Sequence, residues 1–385
     1  MVDDFRGEVR AWLEENAPAS LRGQIDESGI TGYWGGRRRE GVSKDTLLWL
    51  ERMAARGWTA PTWPREYGGG GLSRKQARII DEERVRLRVP PPLIGFGLKM
   101  IGPTLLEYGT EAQKQRHLTK IIRGEIRWCQ GYSEPGSGSD LASLQTKAVR
   151  DGDTFLINGQ KVWTSYADKS DWMFCLVRTN PDAKKQAGIT FLLFDLDQPG
   201  VTIRPIPLIS GASPFCEVFF EDVRAKVEDV IYKIDAGWTV AKALLGHERT
   251  WIGELFTASV SGGEAQLVAL ARRHLGPAAG PIADPLLRDE IARAAMDEQT
   301  ILLTLERARQ QVRDGRPGPE SSILKIAGTE INQRRRDLAA RIAGPQSLGW
   351  EGPGFDDEAL DITRQWLRSR GNTIEGGTSE IQLNI

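Results

Sequence analysis

The chain has 385 residues, of which 51 are Lys or Arg and 52 are Asp or Glu, so its formal net charge at pH 7 is −1. This length is enough for two or three domains with buried cores. The balanced charge argues against a nucleic-acid partner and against an anionic membrane surface, because both attract strongly basic proteins.

The N-terminal sequence and the cysteines bear on the expected location. The first residues, MVDDFRGEVRAWL, carry acids where a signal or transit peptide carries bases, and no apolar run is long enough to span a bilayer. The three cysteines, Cys129, Cys175 and Cys216, lack the spacing of metal ligands. We therefore expect buried free thiols, no metal site, no membrane partner and a cytoplasmic location.

Residues 1–128 show the apolar periodicity of helices and form the predicted N-terminal helical domain. The run GGGG at 68–71 could be a phosphate-binding loop or a turn before a helix. No strand pattern precedes it and no Gly-Lys-Ser/Thr follows it, which favours the turn. In that interpretation Ser73 caps the next helix and Gln76 completes a capping box.

Between residues 129 and 235 the pattern changes to short apolar runs separated by turns. The runs are TFLING, DWMFCLVRT, ITFLLFDL, VTIRPIPLI and FCEVFFEDV, with Asp-Gly and Asn-Gly pairs as expected turns. Helical crossovers are lacking in this pattern, which argues against a Rossmann sheet. The sequence therefore predicts a central antiparallel β-barrel or sandwich domain.

Residues 236–385 return to the helical period and form the predicted C-terminal helical bundle. A long helical stretch ends in ARRHLG, where Gly276 suits a left-handed stop. Two more helices follow it. The predicted fold class is α+β and multidomain, with an N-terminal helical domain, a central β domain and a C-terminal helical bundle.

Four sequence motifs resemble those of the acyl-CoA dehydrogenase flavoprotein family. They are WCQGYSEPGSGSD (128–140), INGQKVWTSYA (157–167), ALLGHERTW (243–251) and RSRGNTIEGGTSEIQ (368–382). The likeness covers nearly the whole chain, and the three-part organisation matches as well. The family implies a subunit that binds FAD and oxidises an acyl-CoA to the trans-2-enoyl thioester, with electron-transfer flavoprotein as the acceptor.

By resemblance, two of these motifs contact the flavin ring, whose faces are apolar and whose rim is polar. Gln130, Tyr132 and Ser133 are expected to line the rim. Trp163 is expected beside the ring, and the hydroxyl of Ser165 is expected to point at flavin N5.

The same resemblance extends to the rest of the cofactor. Gly138 and Ser139 would let backbone amides approach the pyrophosphate closely. Thr378 and Glu380 would reach the adenosine half. Taken in isolation, Trp163 fits an ordinary core tryptophan equally well, and the glycines fit an ordinary hairpin.

The expected reaction needs a base for the α-proton and hydrogen-bond donors for the thioester oxygen. In many family members the base directly precedes the Gly-Thr of the C-terminal motif, a position that is Gly376 here. A second branch carries the base on the long helix, directly before an Arg, and this position is Glu248. The resemblance thus implies Glu248 as the base and the Gly376 backbone N–H as an oxyanion donor. Glu375 as the base, or neither glutamate, are the alternatives.

One departure from the family concerns assembly. In homo-oligomers of the family, an Arg soon after the long helix reaches the partner's FAD, usually in an Arg-x-x-Phe-Gly signature. Here His274 falls at that position without a Phe-Gly, and Arg341 falls where a neutral side chain commonly meets the partner's cofactor. The register favours a heteromer in which a related subunit completes the FAD site. The alternative is a homo-oligomer in which Arg272, Arg273 or Arg341 substitutes.

A base on the long helix often accompanies branched or bulky acyl groups in this family, and Gly376 leaves room near the α-carbon. We therefore expect a bulky acyl-CoA, such as a branched or sterol-side-chain thioester, as the substrate in lipid β-oxidation. The alternatives are a non-catalytic structural subunit of a heteromeric dehydrogenase, which the retention of Glu248 and Ser133 disfavours, and an acyl-CoA oxidase. A DNA-associated flavoprotein of the same fold is disfavoured by the near-neutral charge.

Overall fold

The computed structural model describes residues 2–25, 32–260, 262–275, 282–311 and 320–385. The chain divides into two compact units, one of residues 1–206 and 214–247 and the other of residues 207–213 and 248–385. The described helices are α1 Val2–Asn16, α2 Lys44–Ala55, α3 Arg74–Arg86, α4 Gly102–Tyr108, α5 Glu111–Ile122, α6 Gly237–Val260, α7 Gly263–Leu275, α8 Pro285–Gln311, α9 Glu320–Ala343, α10 Asp357–Ser369 and α11 Ser379–Leu383. The described strands are β1 Trp128–Gly131, β2 Lys147–Asp151, β3 Thr154–Ser165, β4 Trp172–Arg178, β5 Ile189–Asp195, β6 Val201–Ile206 and β7 Phe215–Lys226.

The predicted fold class is confirmed: along the sequence, helices come first, the strands of one sheet follow, and helices return at the end. Every one of the five apolar runs that the sequence analysis singled out contributes to a strand of this sheet. None of the described helices combines the length and apolarity that a membrane crossing needs.

Helices α1 to α3 enclose an apolar core in the first unit. Its buried members include Val9, Leu13, Trp49, Met53, Trp58, Ile79 and Ile80. Helix α3 begins with the predicted capping box: the Ser73 hydroxyl accepts from the Gln76 N–H, and Gln76 Oε1 accepts from the Ser73 N–H at 3.0 Å. The four glycines before it form a turn, in which the Gly71 N–H donates to the Trp63 carbonyl oxygen at 2.9 Å.

The sheet of the first unit has seven strands among the described residues, in the order β1-β4-β2-β3-β7-β6, with β5 also paired to β4. Most pairings are antiparallel, while β1 and β2 each run parallel to β4. The core of the sheet includes fully buried residues from four strands, such as Ile157, Cys175, Leu192 and Val218. All three cysteines are buried and free, as the sequence predicted.

The Asn158–Gly159 pair was expected to form a turn, and this prediction is wrong: both residues lie inside β3. They sit at an irregularity in the β3–β7 pairing, where Asn158 faces two residues of β7 and exchanges hydrogen bonds of 2.8 and 3.0 Å with Asp222. A Cβ on Gly159 would lie 2.8 Å from the Cα of Thr146. The glycine therefore permits a close approach of two chain segments instead of a chain reversal.

The long helical stretch predicted after the β domain is two helices, α6 and α7. They are separated at Gly262, whose φ of +74° is incompatible with a continuous right-handed helix. The expected stop at Gly276 lies outside the described residues. In the second unit, α7, α8 and α9 share an apolar core that includes Leu267, Leu270, Ile291, Leu338 and Ile342.

Candidate active site

Strand β1 leads into the first group of residues expected at a flavin. Gln130 and Ser133 are half-buried, and Tyr132 is buried. The carbonyl oxygen of Ser133 accepts a hydrogen bond from the Val162 N–H at 2.9 Å. This bond joins the segment after β1 to the end of β3, which carries the second group.

Trp163, near the end of β3, is not a core tryptophan. Its side chain is 56% exposed, and its ring meets that of Phe215 edge to face with centroids 6.0 Å apart. The cause is a β-bulge, in which Val162 and Trp163 together lie opposite the single residue Glu217 of β7. The φ of Trp163 is +60°, and the extra residue turns the indole outward. Two residues later, Ser165 is half-buried.

The segment after β1 also forms a tight turn. Glu134 and Ser137 exchange backbone hydrogen bonds of 2.9 and 3.0 Å, and the Ser137 hydroxyl donates to the Asp140 carbonyl oxygen at 2.9 Å. Apart from Gly138 itself and its two neighbours in sequence, no atom of the described chain lies within 4 Å of where a Cβ on Gly138 would be, and Ser139 is exposed. A ligand can therefore approach this backbone closely.

This set of residues fits a flavin nucleotide. An exposed indole at a strand end supplies an apolar face for a flat ring. The half-buried side chains of Gln130, Ser133 and Ser165 supply the hydrogen-bonding groups that the polar rim requires. The open backbone at Gly138 suits a pyrophosphate. All of these residues belong to the first unit.

The C-terminal segment of the second unit is a glycine turn followed by α11. Gly376 has a φ of +64°, and its carbonyl oxygen accepts from Gln382 Nε2 at 2.9 Å. Thr378 is the N-cap of α11, and its hydroxyl accepts from the N–H three residues later at 3.3 Å. Glu380 is exposed in the first turn of that helix. The turn thus places a residue without a side chain at position 376, with its carbonyl oxygen held by Gln382.

Glu375 is held by two side chains of the same unit. Its Oε2 forms an ion pair with the guanidinium of Arg368 at 2.6 Å, and its Oε1 accepts from Asn372 Nδ2 at 2.7 Å. Asn372 is itself buried and accepts from Asn332 at 2.9 Å. The Glu375 carboxylate is thus fixed by contacts within its own unit.

Glu248 lies on α6 and is half-buried. Burial lowers the pKa of the neighbouring Arg249 guanidinium, and the charge of Glu248 opposes that shift. Glu248 is therefore partly shielded from solvent, at the helix position that the resemblance assigns to the base.

Of the three arginines considered for assembly, Arg341 and Arg273 form ion pairs within the second unit, and Arg272 is exposed. Arg341 of α9 donates to both carboxylate oxygens of Glu290 on α8, at 3.0 and 2.9 Å. Arg273 at the end of α7 forms an ion pair with Glu358. His274, at the position of the family's arginine, is half-buried.

A buried ion pair beside the first group of residues was not predicted from the sequence. Lys161 on β3 is 0% exposed, and its Nζ lies 2.8 Å from Oε1 of Glu134. The signal was present in the sequence: alternation from the inward residues Phe155 and Ile157 assigns Lys161 to the inner face of the strand.

Three protein-family models match the chain in sequence order. They are the acyl-CoA dehydrogenase N-terminal domain at residues 3–125, the middle domain at 129–223 and the C-terminal domain at 235–385. The chain is also similar to acyl-CoA dehydrogenase IpdE1 of Mycobacterium tuberculosis, with 38% identity over 389 residues that cover 100% of this chain and 96% of the relative. IpdE1 of Mycolicibacterium smegmatis is 36% identical over 396 residues, with the same coverage.

Solved structures agree with these matches. The Tcur3481-Tcur3483 steroid ACAD is 30% identical, with a TM-score of 0.76 and coverage of 99% of this chain and 94% of that chain. The ChsE4-ChsE5 complex from Mycobacterium tuberculosis is 28% identical, with a TM-score of 0.76 and coverage of 100% of this chain and 95% of that chain.

Proposed function

The chain belongs to the acyl-CoA dehydrogenase family, and from this premise we propose that it dehydrogenates a bulky acyl-CoA between the α- and β-carbons, using FAD, with Glu248 as the base. FAD, when bound, accepts the hydride that leaves the β-carbon. The chain's own residues bind the cofactor, orient the thioester and move the α-proton.

Binding of the flavin ring is assigned to the predicted residues that follow β1 and to those at the end of β3. Gln130, Tyr132 and Ser133 would hydrogen-bond the flavin rim, with Trp163 packed nearby and Ser165 directed at N5. The exposed indole supports this assignment, because 56% of the tryptophan is exposed and offers an apolar face to a flat ring.

The remaining contacts fall on polar and backbone groups. Gly138 and Ser139 would hold the pyrophosphate through backbone amides, and Thr378 and Glu380 would bind the adenosine half. The open space at Gly138 supports the first of these assignments.

The observation that carries the choice of base is the engagement of Glu375. Its two oxygens are occupied by Arg368 and Asn372, at 2.6 and 2.7 Å. Glu248 lies half-buried on α6, at the position that carries the base in the second branch of the family. We therefore assign α-proton removal to the Glu248 carboxylate and a structural role to Glu375.

Gly376 is assigned to the thioester oxygen. As the α-proton leaves, negative charge develops on this oxygen, and a preorganised backbone N–H stabilises that charge. The left-handed turn at Gly376, held by Gln382, supports a fixed direction for the amide. The absence of a side chain at this position also leaves space for a bulky acyl chain.

The proposed bulky substrate is supported by a solved structure to which the chain is similar. One similar solved structure is described as a steroid ACAD, and it covers nearly the whole of this chain. We propose a sterol-derived or branched acyl-CoA and electron-transfer flavoprotein as the electron acceptor. Reduction with substrate under anaerobic conditions, followed by reoxidation with air or with an artificial acceptor, separates this proposal from an oxidase.

The Glu248→Gln variant tests the assignment of the base. We expect it to retain FAD, judged by its visible spectrum, and to lose at least ~10²-fold in turnover, the usual scale for a general base. The matched variant Glu375→Gln should retain far more turnover, because its carboxylate only holds the turn. Near-normal turnover in Glu248→Gln together with a large loss in Glu375→Gln would transfer the role to Glu375.

A further inference from the structure

The side chain of Lys161 is enclosed in the sheet domain of the first unit. It is 0% exposed, and its ammonium group has two acceptors: Oε1 of Glu134 at 2.8 Å and the carbonyl oxygen of Tyr132 at 3.1 Å. Both acceptors belong to the segment that follows β1. The ammonium therefore joins this segment directly to β3.

Glu134 continues the connection to a third segment. Its side chain is 7% exposed, and its two oxygens accept from successive backbone amides, Gln145 N–H at 2.6 Å and Thr146 N–H at 2.9 Å. Its backbone closes the tight turn with Ser137. Both carboxylate oxygens thus accept hydrogen bonds, as a buried carboxylate requires.

The three joined segments carry the first-unit residues assigned to FAD. Ser133 directly precedes Glu134, the turn that Glu134 closes leads to Gly138, and Trp163 lies two residues beyond Lys161. The Ser133–Val162 backbone bond lies between them. A displacement at the ion pair would move the expected flavin rim, the pyrophosphate turn and the indole together.

We infer that Lys161 and Glu134 form a positioning pair, which fixes the flavin-binding segments in the geometry that FAD requires; the inference rests on the proposed function. A buried ion pair contributes little net stability compared with apolar side chains of the same volume, while removal of one partner is costly. The need to hold the flavin-binding segments in one geometry accounts for the two buried charges of Lys161 and Glu134. Neither residue touches the cofactor in this role.

The test is the Lys161→Met variant, which keeps the length of the side chain and removes its ammonium. The matched control is Lys185→Met, which removes an exposed ion pair of 2.6 Å to Asp140. Asp140 lies in the segment that follows β1, as Glu134 does. The double variant Glu134→Gln/Lys161→Met removes both buried charges. Three properties are measured in the same assembly state: the FAD dissociation constant, the urea midpoint, and hydrogen exchange of the amides at 145 and 146 without FAD.

We expect Lys161→Met to raise the FAD dissociation constant at least ~10-fold and to accelerate exchange at 145 and 146, because a charge-assisted hydrogen bond is lost. The control should stay within about twofold of wild type in affinity. The double variant should recover the urea midpoint but not the FAD affinity. This separation distinguishes positioning from support of the fold.

Wild-type FAD affinity in Lys161→Met would overturn the inference while leaving the proposed function intact. If that single variant fails to fold, wild-type affinity in the double variant would overturn it equally. A wild-type chain that binds no FAD, alone or with a related subunit, would overturn the proposed function and the inference together.

Discussion

At the scale of single residues, His117 is a buried imidazole packed against two tryptophans. It is 1% exposed and lies between Trp128 and Trp172, with ring centroids 5.3 and 5.0 Å away. Neither ring nitrogen has a hydrogen-bond partner among the residues that the structure describes. Burial lowers the pKa of His117 from 6.5 to about 4, and the positive charges of Arg116 and Lys120 add to this shift.

His117 therefore makes the protein sensitive to acid. Between pH 6.5 and about 4 the unfolded chain binds a proton that the folded chain excludes, so stability falls as the pH falls through this window. The shift corresponds to roughly 3 kcal/mol at about 1.4 kcal/mol per unit. We expect His117→Phe to abolish this contribution and to raise the free energy of unfolding at pH 7 by about 1 kcal/mol, since two unsatisfied polar atoms disappear.

Urea unfolding at pH 7.5, 6, 5 and 4.5 measures both effects. His274→Phe is the control, because it makes the same substitution at a half-buried histidine at the end of α7. An identical loss of stability on acidification in wild type and His117→Phe would contradict the assignment to His117.

Two residues of β3 show how far the sequence predicts a side chain's surroundings. Alternation from Phe155 and Ile157 assigns both Lys161 and Trp163 to the inner face. Lys161 is buried as this pattern requires, but Trp163 is exposed, because the bulge at 162–163 inserts an extra residue between them. The bulge depends on pairing with β7, about 55 residues away in sequence, and local pattern alone does not reveal it.

At the scale of elements, the packing of α1 on α3 is organised around one carboxylate. The side chain of Glu83 on α3 is 2% exposed and accepts from Arg6 and Arg10 of α1 and from Arg86 of α3, at 3.0, 2.9 and 2.7 Å. These partners, led by the hydrogen bond from Arg10, lower the pKa of Glu83 to about 2. The contribution of Glu83 is therefore present above pH 4.5 and lost as the pH falls toward 2.

Glu83→Gln should weaken the α1–α3 packing, because an amide has one acceptor oxygen in place of two charged ones. We expect a loss of about 2 kcal/mol in the free energy of unfolding at pH 7, the scale of a hydrogen bond to a charged group. Urea denaturation followed by tryptophan fluorescence reports this core, which contains Trp49 and Trp58.

The neighbouring residue supplies the control for this prediction. Glu82 also pairs with Arg6, at 2.6 Å, but its side chain is 39% exposed. Glu82→Gln should therefore cost well under 1 kcal/mol, as exposed ion pairs do. Equal losses in the two variants would refute the central role of Glu83.

Local chemistry predicts some element boundaries and not others. The start of α3 followed from Ser73 and Gln76, because a capping box is complete within four residues. The break between α6 and α7 was missed, since a single glycine inside a helical pattern is often tolerated. Its φ of +74° at Gly262 is a property of the folded chain.

At the scale of the whole molecule, periodicity predicts the order of helical and strand regions, because each region buries its own apolar face. Periodicity does not predict which residues form the functional site. The catalytic assignments rest on a resemblance between short motifs, and the engagement of Glu375 by Arg368 and Asn372 is a three-dimensional fact that no spacing rule contains.

The sequence around residue 274 leads to a prediction about how the chain assembles. The chain carries His274 where homo-oligomeric relatives are expected to carry an arginine for the partner's FAD. One similar structure is described as the ChsE4-ChsE5 complex. From the residue at position 274 we predict that the present chain pairs with a related, different subunit. Expressed alone, it should therefore contain well under one FAD per chain, and co-expression with that subunit should raise the occupancy.

The arginine variants separate the heteromer from the homo-oligomer. In the heteromer, Arg341→Ala only removes an exposed pair with Glu290 and should leave FAD occupancy unchanged. Arg334→Ala, on the same helix, removes a similarly exposed pair with Asp297 and is the matched control. The alternative is a stable homo-oligomer with one FAD per chain. If its Arg341→Ala variant loses the flavin and its Arg334→Ala variant does not, Arg341 binds the cofactor of the second copy. Absorbance at the flavin band, measured with the molar mass in solution, decides between the two.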